Sequence, residues 1–160
     1  MKHEVMIDLI ILDLYGTIAI ASEYDNHPRN GLYGFLKRNS DKRIVLATDD
    51  PLEEAVTAIL EEQKIVGQFE RIYTGKHLIN IRNYKDKRKN LQGICSDLSI
   101  SPDRSVFISD GNKDRLDAKR DGVKFIHVPK YIQTNEPFSF TMIDLSKNLP
   151  WYSDLRKINR

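Results

Sequence analysis

Short apolar runs alternate with amphipathic segments along most of this chain, and the two patterns predict different elements. Apolar runs rich in Ile, Leu and Val are typical of strands buried on both faces of a sheet. Such runs predict strands at 7–12, 43–47, 69–73, 105–108 and 124–128. Apolar residues at helical spacing predict intervening helices at 31–37, from 51 onward, at 91–98 and at 112–120. This alternation indicates an α/β fold, with a parallel sheet of about five strands and helices on both faces.

The second predicted helix carries the clearest start signal. Asp50 is a favoured N-cap residue, Pro51 is favoured at the first helical position, and Glu53 at the third position completes the pattern. We therefore expect this helix to begin at Pro51 with Asp50 as its cap. Its expected buried face consists of Leu52, Ala55, Val56, Ile59 and Leu60.

Composition indicates an ordinary globular protein. The 160 residues are 40% hydrophobic and 30% charged, and the net charge of +2 does not imply a nucleic-acid partner. Cys95 is the single cysteine and lies in a helical apolar stripe, so we expect it to be packed in a reducing compartment. No apolar segment is long enough to span a membrane, and Glu4, Asp8 and Asp13 break the pattern of a signal peptide. We expect a cytoplasmic protein without a membrane partner.

Carboxylates follow two of the predicted buried strands. Asp13 ends the first apolar run, Asp110 follows the fourth strand, and Asp114 comes four residues later. Open α/β folds bind ligands at the carboxyl ends of their strands, and carboxylates that meet there need a cation, for which oxygen ligands favour Mg²⁺. Either cluster alone could simply form a turn or a helix start. Their joint position at two strand ends favours a metal site.

Two further residues extend this predicted site. Thr48 follows the second strand, which places its hydroxyl at the same edge of the sheet. Lys85 begins a basic run over 85–89, most of which we expect to be a solvated helix face, with Lys87 and Lys89 directed at solvent. One lysine of this run, close to a metal and a carboxylate, could hold a phosphoryl group.

These motifs, taken in order, resemble those of the haloacid dehalogenase superfamily. The stretch 13–17 (Asp-Leu-Tyr-Gly-Thr) resembles the first motif, Thr48 the second, and 109–114 (Ser-Asp-Gly-Asn-Lys-Asp) the fourth. The third motif is a lysine. Lys85 lies 25 positions before Asp110, a spacing typical of the family, and Lys87 is the alternative. The resemblance covers about 7–129. It implies a Rossmann-like core domain at 1–130, with 131–160 as a C-terminal extension that packs on the core.

The resemblance implies a Mg²⁺-dependent phosphohydrolase that acts on a phosphorylated substrate. Asp13 would be the nucleophile and would form an aspartyl-phosphate intermediate. The implied metal ligands are Asp13, the Tyr15 carbonyl, Asp110 and Asp114, the last of which would either join the ligands or support them. The residues expected at the phosphoryl group are Thr48, Asp49, Lys85 and Gly111.

Two positions depart from the family pattern. Most phosphatases of this superfamily have an acid where this chain has Tyr15, and a phenol with a pKa near 10 is a poor proton donor at neutral pH. Loss of a positioned acid costs roughly 10²–10⁴-fold in rate. A Tyr here resembles the dehalogenases, which use no Mg²⁺. Ser109 replaces the glycine of the fourth motif, and His27 is an alternative proton donor. A non-catalytic binding or regulatory protein and a dehalogenase-like hydrolase therefore remain alternatives.

The spacing of the motifs leaves no room for a cap domain. About thirty residues separate Asp13 from Thr48, and the interval from Thr48 to Lys85 is also short. An open site suits either a macromolecular end, such as a phosphopeptide or a nucleic-acid terminus, or a partner that closes the site. The nearby basic residues either help to hold such an anionic partner or form a solvated surface; they are Lys76, Arg82, Lys85, Lys87, Arg88 and Lys89. The histidines show no metal-ligand spacing, and His127 is expected to be packed within its strand.

Overall fold

A computed structural model describes residues 6–20, 27–75, 77 and 88–157 of the chain. Its strands are β1 (Leu9–Leu12), β2 (Arg43–Ala47), β3 (Arg71–Tyr73), β4 (Ser105–Ser109), β5 (Lys124–His127) and β6 (Tyr152–Asp154). Its helices are α1 (Leu32–Arg38), α2 (Glu53–Glu62), α3 (Leu91–Asp97) and α4 (Asn112–Asp121). Short 3₁₀ turns lie at Val66–Gln68, Pro102–Arg104 and Phe140–Met142. None of the helices in these ranges is long and apolar enough to cross a membrane.

The strands form one sheet in the order β3-β2-β1-β4-β5-β6, and every neighbouring pair is parallel. The predicted α/β fold is therefore confirmed, with one strand more than expected. Leu12 at the end of β1 is level with Leu46 of β2 and Ile108 of β4. This register brings the carboxyl ends of the three central strands to the same edge.

Apolar side chains alternate between the two faces of the sheet, which places one core on each face. Ile10 and Leu12 of β1 belong to the cluster that contains residues of α1 and α2. Leu9 and Ile11 belong to the opposite cluster, together with residues of α3 and α4. Both faces of β1 are fully buried because helices cover both sides, as its uninterrupted apolar run predicts.

The segment after Pro129 contributes to both the core and the sheet. Phe138 and Phe140 join the cluster on the α1 side, where the ring of Phe140 lies 5.2 Å from that of Phe35. Further along, β6 pairs with β5 and forms one edge of the sheet. This strand has three residues, all at least partly exposed, so no buried apolar run predicts it.

The predicted start of α2 is wrong by two residues. The helix begins at Glu53, and Leu52 stands at the N-cap position in an extended conformation. Asp50 Oδ1 accepts a hydrogen bond of 2.9 Å from the Leu52 N–H, so Asp50 closes the turn before the helix instead of capping the helix itself. Asp50 Oδ2 accepts a second hydrogen bond, from the Tyr15 hydroxyl at 2.8 Å. Both carboxylate oxygens are thus used outside the helix.

Candidate active site

The loop after β1 brings the carboxylates of Asp13 and Asp110 together around one hydroxyl. The chain turns at Gly16, whose φ is +81°, and a Cβ added there would lie 2.6 Å from Asp110 Oδ2. Only glycine fits this close approach without strain. Thr17 Oγ1 donates to Asp110 Oδ1 at 2.9 Å, accepts from the Asp110 N–H at 3.1 Å, and lies 3.4 Å from Asp13 Oδ2. The structure therefore brings together the two carboxylates that follow the predicted strands.

A lysine that we expected to face solvent lies at the centre of this cluster. Lys89 Nζ is 3.1 Å from Asp13 Oδ1, and it is 2.9 Å and 2.8 Å from the two oxygens of Asp114. The carboxylate of Asp49 lies 3.9 Å away. The Lys89 side chain is 2% exposed, so its prediction as part of a solvated helix face is wrong.

Contacts with α4 explain why Lys89 points inward. The Lys89 N–H donates to Asp117 Oδ2 at 3.0 Å, Arg88 pairs with Asp121 at 3.0 Å, and Asp121 also accepts from the Leu91 N–H. These bonds fix the chain just before α3 against α4 and leave the Lys89 side chain directed at the sheet edge. Three acidic residues of α4 thus meet the basic segment: Asp114, Asp117 and Asp121. Their spacing along one helix face was the signal in the sequence that could have indicated this contact.

Lys85 and Lys87, our two predicted candidates for the third motif, lie outside the described residues, as do Lys76 and Arg82. The assignment of Lys85 to the phosphoryl group therefore stays a prediction. The other two basic residues named above, Arg88 and Lys89, form ion pairs with α4 and do not form an open basic surface.

Ser109 connects the nucleophile candidate to α4. Its hydroxyl donates to Asp114 Oδ2 at 2.7 Å, lies 3.3 Å from Asp13 Oδ2, and accepts from the Gly111 N–H at 3.1 Å. Both oxygens of Asp114 contact Lys89 as well, which favours a supporting role for Asp114 over direct metal binding. The serine that replaces the motif glycine thus adds a hydroxyl to the buried cluster.

The residues after β2 reach the same edge of the sheet. Thr48 is buried, and its hydroxyl accepts from the Asp50 N–H at 3.2 Å. Asp49 is exposed, and its carboxylate faces Lys89. The Gly111 N–H is already bonded to Ser109. Contact of Thr48, Asp49 and Gly111 with a phosphoryl group stays a prediction.

The Tyr15 side chain reaches Asp50, in the turn before α2. The phenol donates to Asp50, and burial together with the Asp50 carboxylate raises the pKa of Tyr15 to about 12. The carbonyl of Leu14 accepts from the N–H groups of Thr17, Ile18 and Ala19, and that of Gly16 accepts from Tyr131, whereas no described residue donates to the Tyr15 carbonyl. This carbonyl is therefore available to a ligand.

The charges of the cluster are only partly compensated. Burial raises the pKa of Asp13 to about 7, Lys89 opposes the shift, and the nearby carboxylates of Asp114 and Asp110 add to it. Burial alone would lower the pKa of Lys89, but Asp13 and Asp114 raise it well above its ordinary value. Lys89 therefore stays protonated, and its single positive charge lies between the carboxylates of Asp13 and Asp114.

Asp13, Asp110 and the Tyr15 carbonyl offer oxygen donors of the kind that Mg²⁺ prefers. No three acidic, histidine or cysteine side chains within the described ranges are grouped tightly enough to hold a metal ion alone. Mg²⁺ does not require such a cage, because it retains several waters and uses one or two carboxylates together with substrate oxygens. A divalent cation bound here would compensate the remaining negative charge and would take the Tyr15 carbonyl as a ligand.

Two buried side chains that no motif indicated fix the backbone of the site. Arg29, 1% exposed, donates to the carbonyls of Thr17 and Pro129 and to both oxygens of Glu136. His127 is buried, as predicted, and its Nε2 lies 3.1 Å from the Asp110 carbonyl, to which it donates. The partners of both residues are distant in sequence, so no local pattern could have identified these roles.

No protein-family model and no curated protein matches this chain. Several solved structures, in contrast, are similar to it. A haloacid dehalogenase superfamily hydrolase of subfamily IA from Geobacter sulfurreducens is 13% identical, with a TM-score of 0.61 over 76% of this chain and 89% of that one. CbbY from Rhodobacter sphaeroides, solved with phosphate, is 15% identical, with a TM-score of 0.64 over 84% and 92%.

L-2-haloacid dehalogenase from Xanthobacter autotrophicus is 12% identical, with a TM-score of 0.61 over 77% of this chain and 78% of that one. Similarity at this level of identity establishes the architecture. Together with the strand order and the position of Asp13 at the end of β1, it shows that the chain has the fold of the haloacid dehalogenase superfamily.

Proposed function

We propose that this protein is a Mg²⁺-dependent phosphohydrolase that uses Asp13 as its nucleophile. The observation that carries the proposal is the position of the Asp13 carboxylate. It lies at the carboxyl end of a central strand, with the Lys89 ammonium on Oδ1 and the hydroxyls of Thr17 and Ser109 near Oδ2. The match to hydrolases of this fold, one of them solved with phosphate, supports the same chemistry.

In this proposal Asp13 attacks the substrate, and its neighbours compensate the negative charges. An Asp13 oxygen attacks phosphorus as the bond from phosphorus to the leaving group breaks, and water later cleaves the aspartyl-phosphate to return the carboxylate. Lys89 offsets the repulsion between the carboxylates and an anionic substrate. Mg²⁺, held by Asp13, Asp110 and the Tyr15 carbonyl, would add positive charge at the phosphoryl oxygens. Thr17 holds Asp110 in place through its hydroxyl.

We propose a phosphorylated macromolecular end as the substrate. The described residues between Asp13 and Thr48 form one short helix, α1, and the strand β2. This length supports a site without a cap domain. A site of that kind leaves space for a large phosphorylated partner.

Substitution of Asp13 provides the direct test of the proposed function. Asp13→Asn should lower Mg²⁺-dependent phosphate release by about three orders of magnitude or more, because the amide is not a nucleophile. A panel of phosphorylated compounds, assayed with Mg²⁺ and with EDTA, measures the activity. The exposed Asp41 offers a matched control, because Asp41→Asn should leave the rate unchanged. Turnover that persists in Asp13→Asn would contradict the proposal.

The affinity for Mg²⁺ should increase with pH. The pKa of Asp13, which burial raises to about 7, means that a proton competes with the metal for this carboxylate below neutrality. We expect the dissociation constant to be roughly tenfold larger at pH 6 than at pH 8. Calorimetric titration at pH 6, 7 and 8 measures the change.

Asp110→Asn supplies the companion variant for this titration. It should weaken Mg²⁺ binding at every pH and move the pH dependence to lower pH, because Asp13 remains but loses a neighbouring carboxylate that raises its pKa. An affinity that does not vary between pH 6 and 8, or that is the same in Asp110→Asn, would exclude the proposed ligand set.

A second candidate function is a non-catalytic binding or regulatory module. The hydrogen bond from Tyr15 to Asp50 favours it, because the phenol is not available as an acid. A protein of this kind would bind Mg²⁺ and the phosphoryl analogue beryllium fluoride without releasing phosphate. Release of halide from a 2-haloacid in the absence of Mg²⁺ would instead indicate the dehalogenase-like reaction.

A further inference from the structure

The described side chains that contact Asp13, together with that of Tyr15, hold no proton that is free for a departing oxygen. The Tyr15 hydroxyl uses its proton in the 2.8 Å bond to Asp50 Oδ2. Asp50 accepts hydrogen bonds at both carboxylate oxygens, from the Tyr15 hydroxyl and from the Leu52 N–H. Neither residue is therefore set up to act as an acid.

The three side chains that contact Asp13 use their polar hydrogens in the same way. Lys89 Nζ faces three carboxylate oxygens of Asp13 and Asp114, which matches its three N–H groups. The Thr17 hydroxyl donates to Asp110, and the Ser109 hydroxyl donates to Asp114. Each of these bonds stabilises a carboxylate, so breaking one to protonate a leaving group would expose buried negative charge.

The His127 imidazole, which contacts the Asp110 carbonyl, is engaged at both of its nitrogens. Its Nε2 donates to the Asp110 carbonyl at 3.1 Å, and its Nδ1 accepts from the Tyr152 hydroxyl at 3.0 Å. The ring is buried between β5 and β6, where it contacts the rings of Phe125 and Tyr152. It acts on the backbone of the site and does not face a substrate.

From this distribution of protons we infer that the phosphoryl group of the proposed macromolecular substrate is part of a phosphoric anhydride, such as an acyl phosphate, and not of an alkyl phosphate, as it is at a nucleic-acid terminus. The inference rests on the proposed function of Asp13. An acyl phosphate breaks its P–O bond to leave a carboxylate, which carries the electron pair without a proton. An alkyl phosphate leaves a strongly basic alkoxide, which needs one, and a missing acid costs roughly 10²–10⁴-fold at that step.

The same shortage of proton-transfer groups affects the second step. Water must lose a proton as its oxygen bonds to phosphorus and the P–O bond to Asp13 breaks, with the electron pair returning to the carboxylate. Without a positioned base, that proton passes to the solvent or to the phosphate product. The aspartyl-phosphate should therefore form faster than it is hydrolysed and should accumulate during turnover.

Acetyl phosphate and an alkyl phosphate such as glycerol phosphate, each with Mg²⁺, test the inference. Intact-mass measurement follows phosphorylated protein, and a phosphate assay follows release. Acetyl phosphate should give a burst of close to one phosphoryl group per chain and then slow release. The alkyl phosphate should react at least about a hundredfold more slowly. Asp13→Asn measures spontaneous hydrolysis of acetyl phosphate.

Tyr15→Asp adds a carboxyl group beside the nucleophile, and Tyr15→Asn adds a group of the same size that is not an acid. The first variant should raise alkyl phosphate turnover by about one to two orders of magnitude relative to the second and should remove the burst. Rates on the two substrates within tenfold of each other in the natural protein would overturn the inference and leave the proposed function standing. No phosphorylation of Asp13 by either substrate would overturn both.

Discussion

Replacement of Lys89 by Met should abolish phosphate release and destabilise the protein most at alkaline pH. Lys89 is the ammonium between the carboxylates of Asp13 and Asp114, at 3.1 Å and 2.8 Å. Met fills a similar volume but leaves both carboxylates without their cation. Removal of one partner of a buried ion pair costs about 3–5 kcal/mol in the free energy of unfolding.

The pH dependence of this loss follows from the pKa of Asp13. Burial raises that pKa to about 7, above its value in the unfolded chain, so the folded protein binds a proton more readily and loses stability as pH rises from about 4 to 7. Lys89 opposes the upward shift. In Lys89→Met the pKa of Asp13 should rise further, so the difference in stability between the two proteins should change little between pH 4 and 7 and become largest above pH 7.

Urea unfolding at pH 4.5, 6 and 8 measures the difference. Lys147→Met is the matched control, because Lys147 and Asp144 form a surface pair at 4.0 Å whose loss should cost less than about 1 kcal/mol. Adding Asp114→Asn to Lys89→Met should recover part of the stability at pH 8, because one buried charge is removed. A loss that is equal at all three pH values would mean that Lys89 stabilises the fold through packing alone.

The elements that the sequence predicts best are those whose environment is uniform along the segment. β1, β2 and β4 are central strands buried on both faces, so their apolar runs indicate both the element and its position. β6 could not be predicted in this way, because it is a three-residue edge strand and its place depends on backbone pairing with β5. A pattern of side chains carries little information about such a strand.

The site residues also differ in how well the sequence predicts their positions. Asp13, Thr48 and Asp110 could be placed because each directly follows a buried strand, and the ends of parallel strands meet at one edge. Lys89 could not be placed in this way. Its direction depends on the contact between α3 and α4, and a basic run alone is as compatible with a solvated surface as with a buried ion pair.

Replacement of Arg29 by Met should cause the largest loss of stability outside the carboxylate cluster. The Arg29 guanidinium donates to both oxygens of Glu136 at 2.8 Å and to the Thr17 carbonyl at 3.0 Å, and its side chain is fully buried. It also lies over the rings of Tyr131 and Phe138. Met leaves Glu136 as a nearly buried charge without a partner, so we expect a loss of about 3–5 kcal/mol in unfolding by urea.

The surface pair of Arg104 and Asp8 provides the comparison, because both side chains are nearly half exposed. Arg104→Met should cost less than about 1 kcal/mol, and Glu136→Gln added to Arg29→Met should recover part of the larger loss.

Arg29 also holds the backbone of Thr17, whose hydroxyl contacts Asp110. Arg29→Met should therefore weaken Mg²⁺ binding at temperatures where the variant is still folded, whereas Arg104→Met should not. Equal stability of the two variants would show that the buried guanidinium stabilises the fold no more than a surface charge does, and unchanged Mg²⁺ affinity would show that Arg29 does not position the site.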